Sequence, residues 1–384
     1  MDFIKVAEPL VGEEEVNAVR EVLLSGMYVS GKKVKEFEEK FAEYIGTKYA
    51  IATSSGTAAL HISLACLDIG PGDEVVVPPM TFFATIEAVL HQNAIPIFAD
   101  IDENYCMDPK SIEKVITNRT KAIIPVHLFG YSANMKKIMK IARKYDLYVI
   151  EDCAQAHGTE YYGKKVGSIG HIGAFSFFAT KNMTTGEGGM ITTNDEEVAK
   201  KAKMIRSHGM IDRDNHIILG YNYRMTEMEA AFGLVQLSKL DKLNEIRIKN
   251  SRYLLENLKD IDWIIIQKFD PNIKHTFFWC PIRINEERLG RPIEEFKKYL
   301  IKNGIGFRHR YKEPLYRQVM LLKKETYPKG CPLTCPYYEN NIDYSNIYLK
   351  NAEKFAGKII GLPNHPKLRK NDLDRIIETI KSYI

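Results

Sequence analysis

The chain has 384 residues, more than one hydrophobic core commonly fills, so two domains are expected. A content of 45% hydrophobic and 27% charged residues is that of a soluble globular protein and excludes a disordered or fibrous one. The net charge of +5 is mild, its lysines are spread through helical patterns, and no apolar run approaches the ~18–20 residues that span a bilayer, so neither nucleic acid nor membrane is expected as a partner.

Short apolar runs bounded by Gly, Pro or Asp predict strands at 49–52, 74–77, 95–98, 121–126, 148–152, 174–178 and 189–193. Helical patterns lie between most of them, at 57–67, 82–91, 111–116 and 134–145. This alternation predicts an α/β domain with a mostly parallel sheet and helices on both faces. Thr226-Glu227-Met228-Glu229 is a capping box and opens a long apolar-periodic helix running to residue 254. The change of domain is expected inside that helix, giving a large domain over 1–245 and a smaller α+β domain over 246–384. The smaller one carries strand or helix patterns at 263–267, 276–284, 293–303, 306–308 and 371–384. Residues 318–347 read as a long loop, either functional or a surface excursion.

The N-terminal residues 1–6 lack the charged-then-apolar design of a signal peptide, and a cytoplasmic location is expected. Six cysteines in so long a chain do not make a disulfide framework. Cys331 and Cys335 are the closest pair, but no further ligands at short spacing accompany them, so no metal site is expected.

The stretch from Ala174 to Gly189 carries the most chemistry. An aromatic strand pattern ends in a polar loop that holds Lys181, followed by Gly186-Glu187-Gly188-Gly189. A lysine so placed can leave bulk water, lose its proton more easily and attack an aldehyde. Upstream, Val149-Ile150-Glu151-Asp152 is an apolar strand that ends on a carboxylate. A lysine for a Schiff base and an aspartate for a pyridinium nitrogen are the two groups that pyridoxal phosphate demands. Ser54-Ser55-Gly56-Thr57 joins a strand to a helix, where free amides and the helix dipole suit a phosphate, although Ser55 or Thr57 can equally cap the helix. Phe82 or Phe83, past the end of the strand at 74–77, can lie flat on a heteroaromatic ring or pack in the core. Asp152 can also cap a helix, and Gln155 can reach the ring's phenolic oxygen.

Together Ser-Gly-Thr-Ala-Ala-Leu, Pro-Pro-Met-Thr-Phe-Phe-Ala-Thr, Glu-Asp-Cys-Ala-Gln-Ala-His-Gly, Phe-Ser-Phe-Phe-Ala-Thr-Lys-Asn-Met-Thr-Thr-Gly-Glu-Gly-Gly and Gly-Tyr-Asn-Tyr-Arg-Met-Thr-Glu resemble the DegT/DnrJ/EryC1/StrS family over nearly the whole chain. These are pyridoxal phosphate-dependent aminotransferases of sugar nucleotides with the three-layer α/β/α fold of aspartate aminotransferase. The resemblance implies Lys181 as the Schiff-base lysine and Asp152 as the partner of the pyridine nitrogen. It implies Gln155 on the ring oxygen, Phe82 stacked on the ring, and Gly56, Thr57 and Ser176 on the phosphate. It also implies that Asn222 reaches the same phosphate from a neighbouring subunit, hence a homodimer with shared active sites. The substrates implied are a keto-sugar nucleotide and an amino donor, glutamate or glutamine. Phe178 stands where many relatives carry histidine, and His157 reads as structural. Arg308-His309-Arg310-Tyr311 can meet nucleotide phosphates and Arg224 a donor carboxylate, or both can be a solvated basic face. The same fold also serves amination of a keto-inositol or another cyclic ketone, sugar dehydration, and a non-catalytic regulatory role. Relatives that dehydrate sugars carry histidine in place of the lysine.

Overall fold

The structure, a computed structural model, describes residues 2–29, 31–327, 329–338 and 342–383. Its centre is a seven-stranded sheet: β1 (Tyr49–Thr53), β2 (Glu74–Val77), β3 (Ile95–Phe98), β4 (Thr120–Ile123), β5 (Tyr148–Asp152), β6 (Ile172–Ser176) and β7 (Gly189–Thr193). The spatial order is β1-β7-β6-β5-β4-β2-β3. Neighbours from β6 through β5, β4 and β2 to β3 pair parallel, whereas β7 runs against both β6 and β1. Six strands therefore point one way, and their parallel pairings need crossover connections, of which the one between β5 and β6 holds no α-helix.

The helices are α1 (Glu13–Ser25), α2 (Lys32–Ile45), α3 (Gly56–Cys66), α4 (Ala84–His91), α5 (Pro109–Val115), α6 (Met135–Tyr145), α7 (Glu196–Arg206) and α8 (Glu227–Leu258). Side chains alternate across the sheet. Val75 and Val77 join the core under α3, α4 and α7, while Val76 and Ile123 join the core under α6. Phe37 and Phe41 of α2 meet Phe175 and Phe177 on the same side as Ala50 and Ala52 of β1. Both faces are thus covered, as a parallel sheet requires.

Thr226 and Glu229 close the expected capping box reciprocally, at 3.2 and 2.7 Å. A neighbouring carboxylate does a less local job. Buried Glu227 accepts from the amides of Gly31, Lys33 and Val34 at 2.8–2.9 Å, so the first turn of α8 caps α2. Three charge-assisted bonds from orphan amides offset the cost of burying that carboxylate.

Helix α8 runs without interruption through residue 245, and its last turns, with Leu254, Leu255 and Leu258, enter a second core. That core surrounds a three-stranded antiparallel sheet of β8 (Ile264–Ile265), β9 (Cys280–Ile284) and β10 (Ile359–Leu362). Helices Ile293–Lys302 and Lys370–Lys381 cover it. The first residues also belong there, since Ile4 bridges to Ile305. The segment 318–347, over its described residues, is mostly loop, as read, but not a surface excursion. It holds a short helix at Val319–Leu322, and Leu321, Leu333, Tyr338 and Tyr344 pack into the core of the large sheet. Tyr338 Oη donates to Glu74 Oε1 at 2.9 Å and Tyr344 Oη to Pro96 O at 2.9 Å, which ties the segment to β2 and β3. All six cysteines are free thiols.

Candidate active site

In an open α/β sheet the carboxyl ends of the strands carry the ligand. Here β1 delivers Ser54–Thr57 to that edge, β2 delivers Pro78–Thr85, β5 ends on Asp152 and β6 on Ser176. Because β7 returns antiparallel, the β6–β7 connection with Lys181 also lies there. Phe178, expected as the last strand residue, falls in this connection, since β6 stops at Ser176. The result is one cavity of about 840 Å³ whose wall includes Gly56, Thr57, Phe82, Asp152, Gln155, Ser176 and Lys181. Seven of the eight residues expected at the site therefore meet. Asn222, the eighth, is exposed, bridged to Ser207, and does not line the cavity of its own chain.

The lysine connection is fixed from several sides. Lys181 N donates to Phe178 O at 2.9 Å, and Thr185 N to Phe177 O at 3.0 Å. The next residue, Asn182, is buried and donates to Asn244 Oδ1 of α8 at 2.8 Å and Thr276 O at 3.0 Å. Gly188 has φ +142°, and a Cβ there would stand 2.8 Å from Met225 Cε, so only glycine fits. Lys181 Nζ faces the Phe278 ring, 4.7 Å from its centroid. Loss of hydration pushes its amine down to about 8; Asp152 opposes that shift and the Arg308 charge adds to it.

Asp152 is 4% exposed. Its Oδ2 accepts from Thr85 Oγ1 at 2.8 Å and its Oδ1 from Ala154 N at 3.1 Å. Thr85 in turn meets Thr81 at 3.0 Å. Burial raises the carboxyl above its ordinary range, against the two hydrogen bonds and the Lys181 charge. Just behind it, Glu151 is held by the amides of Ile169 and Gly170, at 2.8 and 2.7 Å, and by His127 Nε2 at 3.0 Å, which fixes the strand end. The amide of Gln155 is also oriented. Phe129 N donates to its Oε1 at 3.0 Å, so its Nε2 faces the cavity side, where it meets Tyr311 Oη at 3.0 Å.

At the other wall Ser55 is the cap of α3, accepting from Ala58 N at 3.1 Å. The capping alternative thus holds for Ser55, and Thr57 is left to the cavity. Among the described residues the amides of Gly56 and Thr57 have no partner, which makes an anion cradle at the positive end of α3. A Cβ on Gly56 would stand 2.6 Å from Ser176 Cβ, so glycine lets the helix start against the end of β6. Phe82 is 65% exposed and offers a free ring face. Unpartnered amides, a buried carboxylate, an oriented amide and a half-buried amine fit pyridoxal phosphate at its phosphate, ring nitrogen, ring oxygen and aldehyde.

His157 is fully buried between Phe175 and Phe177, and burial lowers it to about 3. Its place is the aromatic layer under the lysine connection, in keeping with the structural reading. Arg308, Arg310 and Tyr311 line the cavity, whereas Arg224 does not. Thr85, Phe278 and Trp279 reach the cavity without having been singled out from sequence. Thr85 stood inside a motif quoted for its phenylalanines, and its polar position in the first turn of α4 was the available signal.

Residues 9–381 match the DegT/DnrJ/EryC1/StrS aminotransferase family. The chain is 36% identical to the GDP-perosamine synthase of Caulobacter vibrioides, over 99% of this chain and 98% of that protein. Among solved structures it is similar to Helicobacter pylori PseC, an aminotransferase involved in the biosynthesis of pseudoaminic acid. That likeness has a TM-score of 0.89 at 29% identity and covers 99% of this chain and 98% of the other. It is also similar to NtdA of Bacillus subtilis with bound cofactor PMP, with a TM-score of 0.84 at 30% identity over 96% of this chain and 81% of that one.

Proposed function

The chain belongs to the DegT/DnrJ/EryC1/StrS aminotransferase family and is a pyridoxal phosphate-dependent aminotransferase, and from that premise we propose that it moves an amino group from glutamate or glutamine to a nucleotide-linked keto-sugar. The observation that carries this reading is the half-buried Lys181 facing the buried Asp152 in one cavity at the carboxyl edge of the sheet. The likeness to a GDP-perosamine synthase supports the sugar-nucleotide class of acceptor.

When bound, the cofactor supplies an electron sink for the carbon that loses its proton. In the proposed roles, Asp152 holds a positive charge at the ring nitrogen, and Thr85 and Ala154 keep its carboxylate aimed. The amides of Gly56 and Thr57, with Ser176, would hold the phosphate, Phe82 would cover one face of the ring, and Gln155 would meet the ring oxygen. Lys181 would hold the cofactor aldehyde through its Nζ, and once freed that amine would take the proton from the donor α-carbon and later return one to the new amino-sugar carbon. An amine lowered to about 8 is suited to both tasks near neutral pH.

Asn222 and the homodimer belong to the same proposal. Exposed Leu23, Leu24 and Met27 at the end of α1, with Ile217 and Leu219 ahead of Asn222, offer apolar surface for a second copy. So does a cytoplasmic location; among the described residues no helix is long and apolar enough to cross a membrane. The test supplies the enzyme with glutamate or glutamine and a panel of nucleotide-linked keto-sugars and free cyclic ketones, and reads amino-sugar formation by mass spectrometry. Amination of free ketones alone would contradict the acceptor class.

A further inference from the structure

We propose that Asn182 is a positioning residue for the amino transfer: its buried amide locks the lysine connection to the turn that carries Phe278, and so holds Lys181 Nζ against that ring. This rests on the reading of Lys181 as the working amine and adds what keeps that amine in place once it is free of the cofactor.

The connection between β6 and β7 is otherwise tied to itself. Lys181 N donates to Phe178 O at 2.9 Å, Thr184 Oγ1 to Phe177 O at 3.0 Å and Gly186 N to Thr184 Oγ1 at 2.9 Å. Among the described residues, Asn182 is the one member of 177–187 whose side chain hydrogen-bonds outside the connection. Its Nδ2 has two acceptors, Asn244 Oδ1 at 2.8 Å and Thr276 O at 3.0 Å. Its Oδ1 is buried without a partner among the described residues, so the amide works as a double donor.

The turn it grips is strained. Phe277 stands at φ +47°, a left-handed backbone that is rare for a bulky side chain. Three bonds hold it there. Thr276 N donates to Gly130 O at 3.1 Å, Asn182 Nδ2 to Thr276 O at 3.0 Å, and Asn364 Nδ2 to Phe277 O at 2.7 Å. The turn sends Phe277 into the core of the small domain and Phe278 into that of the large one. The Phe278 ring centroid then lies 4.7 Å from Lys181 Nζ. Both asparagines are braced on α8, Asn182 on Asn244 and Asn364 on Ser251 Oγ at 3.1 Å, about two turns further along. All of these side chains are buried, so no water replaces a lost donor. One amide thus joins the residue next to Lys181 to a carbonyl two residues before Phe278. A flexible lysine stem that has let go of the cofactor keeps its reach only while its own backbone and its apolar wall stay fixed to each other.

The test compares wild type with three variants. Asn182→Leu removes both donors at nearly the same volume, and Asn182→Ser can supply one. Asn250→Leu is the control, on the same helix, where the native amide meets only the carbonyls of Asn364 and His365. Two readouts accompany thermal melting. In the apoenzyme, the rate of pyridoxal phosphate uptake is followed against pH. It should level off above about 8 in the wild type. In Asn182→Leu its midpoint should rise by about 1 pH unit, because a displaced amine regains water. In the loaded enzyme, the single-turnover rate at saturating L-glutamate should fall about 10- to 100-fold, with the half-saturating concentration within about threefold of wild type. The slowing by α-deuterated L-glutamate should grow, since the proton step is the one impaired. Asn182→Ser should fall between, and it decides by the same readouts if Asn182→Leu does not fold. Asn250→Leu should melt earlier and move neither readout. An unmoved midpoint or an unmoved rate in the folded Asn182 variant would overturn the proposal and leave Asn182 structural. Equal shifts in Asn250→Leu would overturn it as well. Uptake and glutamate conversion that persist in Lys181→Ala would instead refute the reading of Lys181 itself, whatever the asparagine variants do, and the proposal would fall with it.

Discussion

Replacing Thr85 by valine removes one hydroxyl and keeps the shape of a side chain that is 1% exposed. The hydroxyl donates to Asp152 Oδ2 at 2.8 Å and shares a second bond with Thr81 at 3.0 Å. A hydrogen bond to a charged group contributes about 1.5–3 kcal/mol, so its loss favours the protonated carboxyl by about 1–2 pK units. Burial already raises Asp152, and Thr85 is one of the groups that oppose it. The sign is therefore fixed: without the donor, Asp152 protonates at higher pH, the ring nitrogen loses its counter-charge, and the acid limb of the rate profile moves up by about 1–2 pH units. On the acid limb kcat/KM for the donor half-reaction should fall about 10- to 100-fold at a given pH, with cofactor still bound. The assay is single-turnover conversion of the cofactor band across a pH series, with thermal melting as the control for folding. A Thr85→Val enzyme with wild-type kcat/KM and an unmoved acid limb would refute the reasoning that Asp152 acts as a carboxylate held by this hydroxyl.

Gly56→Ala drives a Cβ to 2.6 Å from Ser176 Cβ and should weaken cofactor binding in equilibrium dialysis. An overpacking cost of about 1–3 kcal/mol corresponds to about 5- to 100-fold. Reconstitution of the apoenzyme should accelerate as pH rises and level off above about 8, the value to which the Lys181 amine is lowered from 10.5. Because that value lies below the unfolded one, burying the protonated amine costs apoenzyme stability below pH 8, and the cost fades between about 8 and 10.5. Urea midpoints across that window check the sign. Mixing inactive Lys181→Ala with Asn222→Ala subunits should restore about one quarter of wild-type activity after random reassortment, since each mixed dimer keeps one intact site. No recovery, with mixed dimers present, would mean that Asn222 serves its own chain.

What could be read from sequence and what could not divides by locality. Lys181, Asp152 and Gly56 stand in short motifs at strand ends, where the strand pattern itself fixes the edge on which they appear. Thr85 matters through Asp152, 67 residues away, and nothing near it in sequence states that pairing. Helices α1 and α2 drew no prediction, and α2 owes its cap to Glu227, 193–196 residues later. The segment 318–347 has the Pro, Gly and Asn of a loop, and its tyrosines declare themselves only against Glu74 and Pro96 of the large sheet. The basic run at 308–310 gave charge but not direction. Only the pairing with Gly361 turns Arg308 inward and His309 away.

The central claim is that Lys181 is the amine that bonds the cofactor and moves the proton. The direct measurement is the absorbance of purified enzyme with pyridoxal phosphate, before and after L-glutamate, for wild type and Lys181→Ala. The wild type should show the band of a lysine-bound cofactor and lose it on adding glutamate. Lys181→Ala should show only the band of free or non-covalently held cofactor and should form no 2-oxoglutarate. A Lys181→Ala protein that keeps the lysine-bound band, or that turns over glutamate at the wild-type rate, would contradict the account.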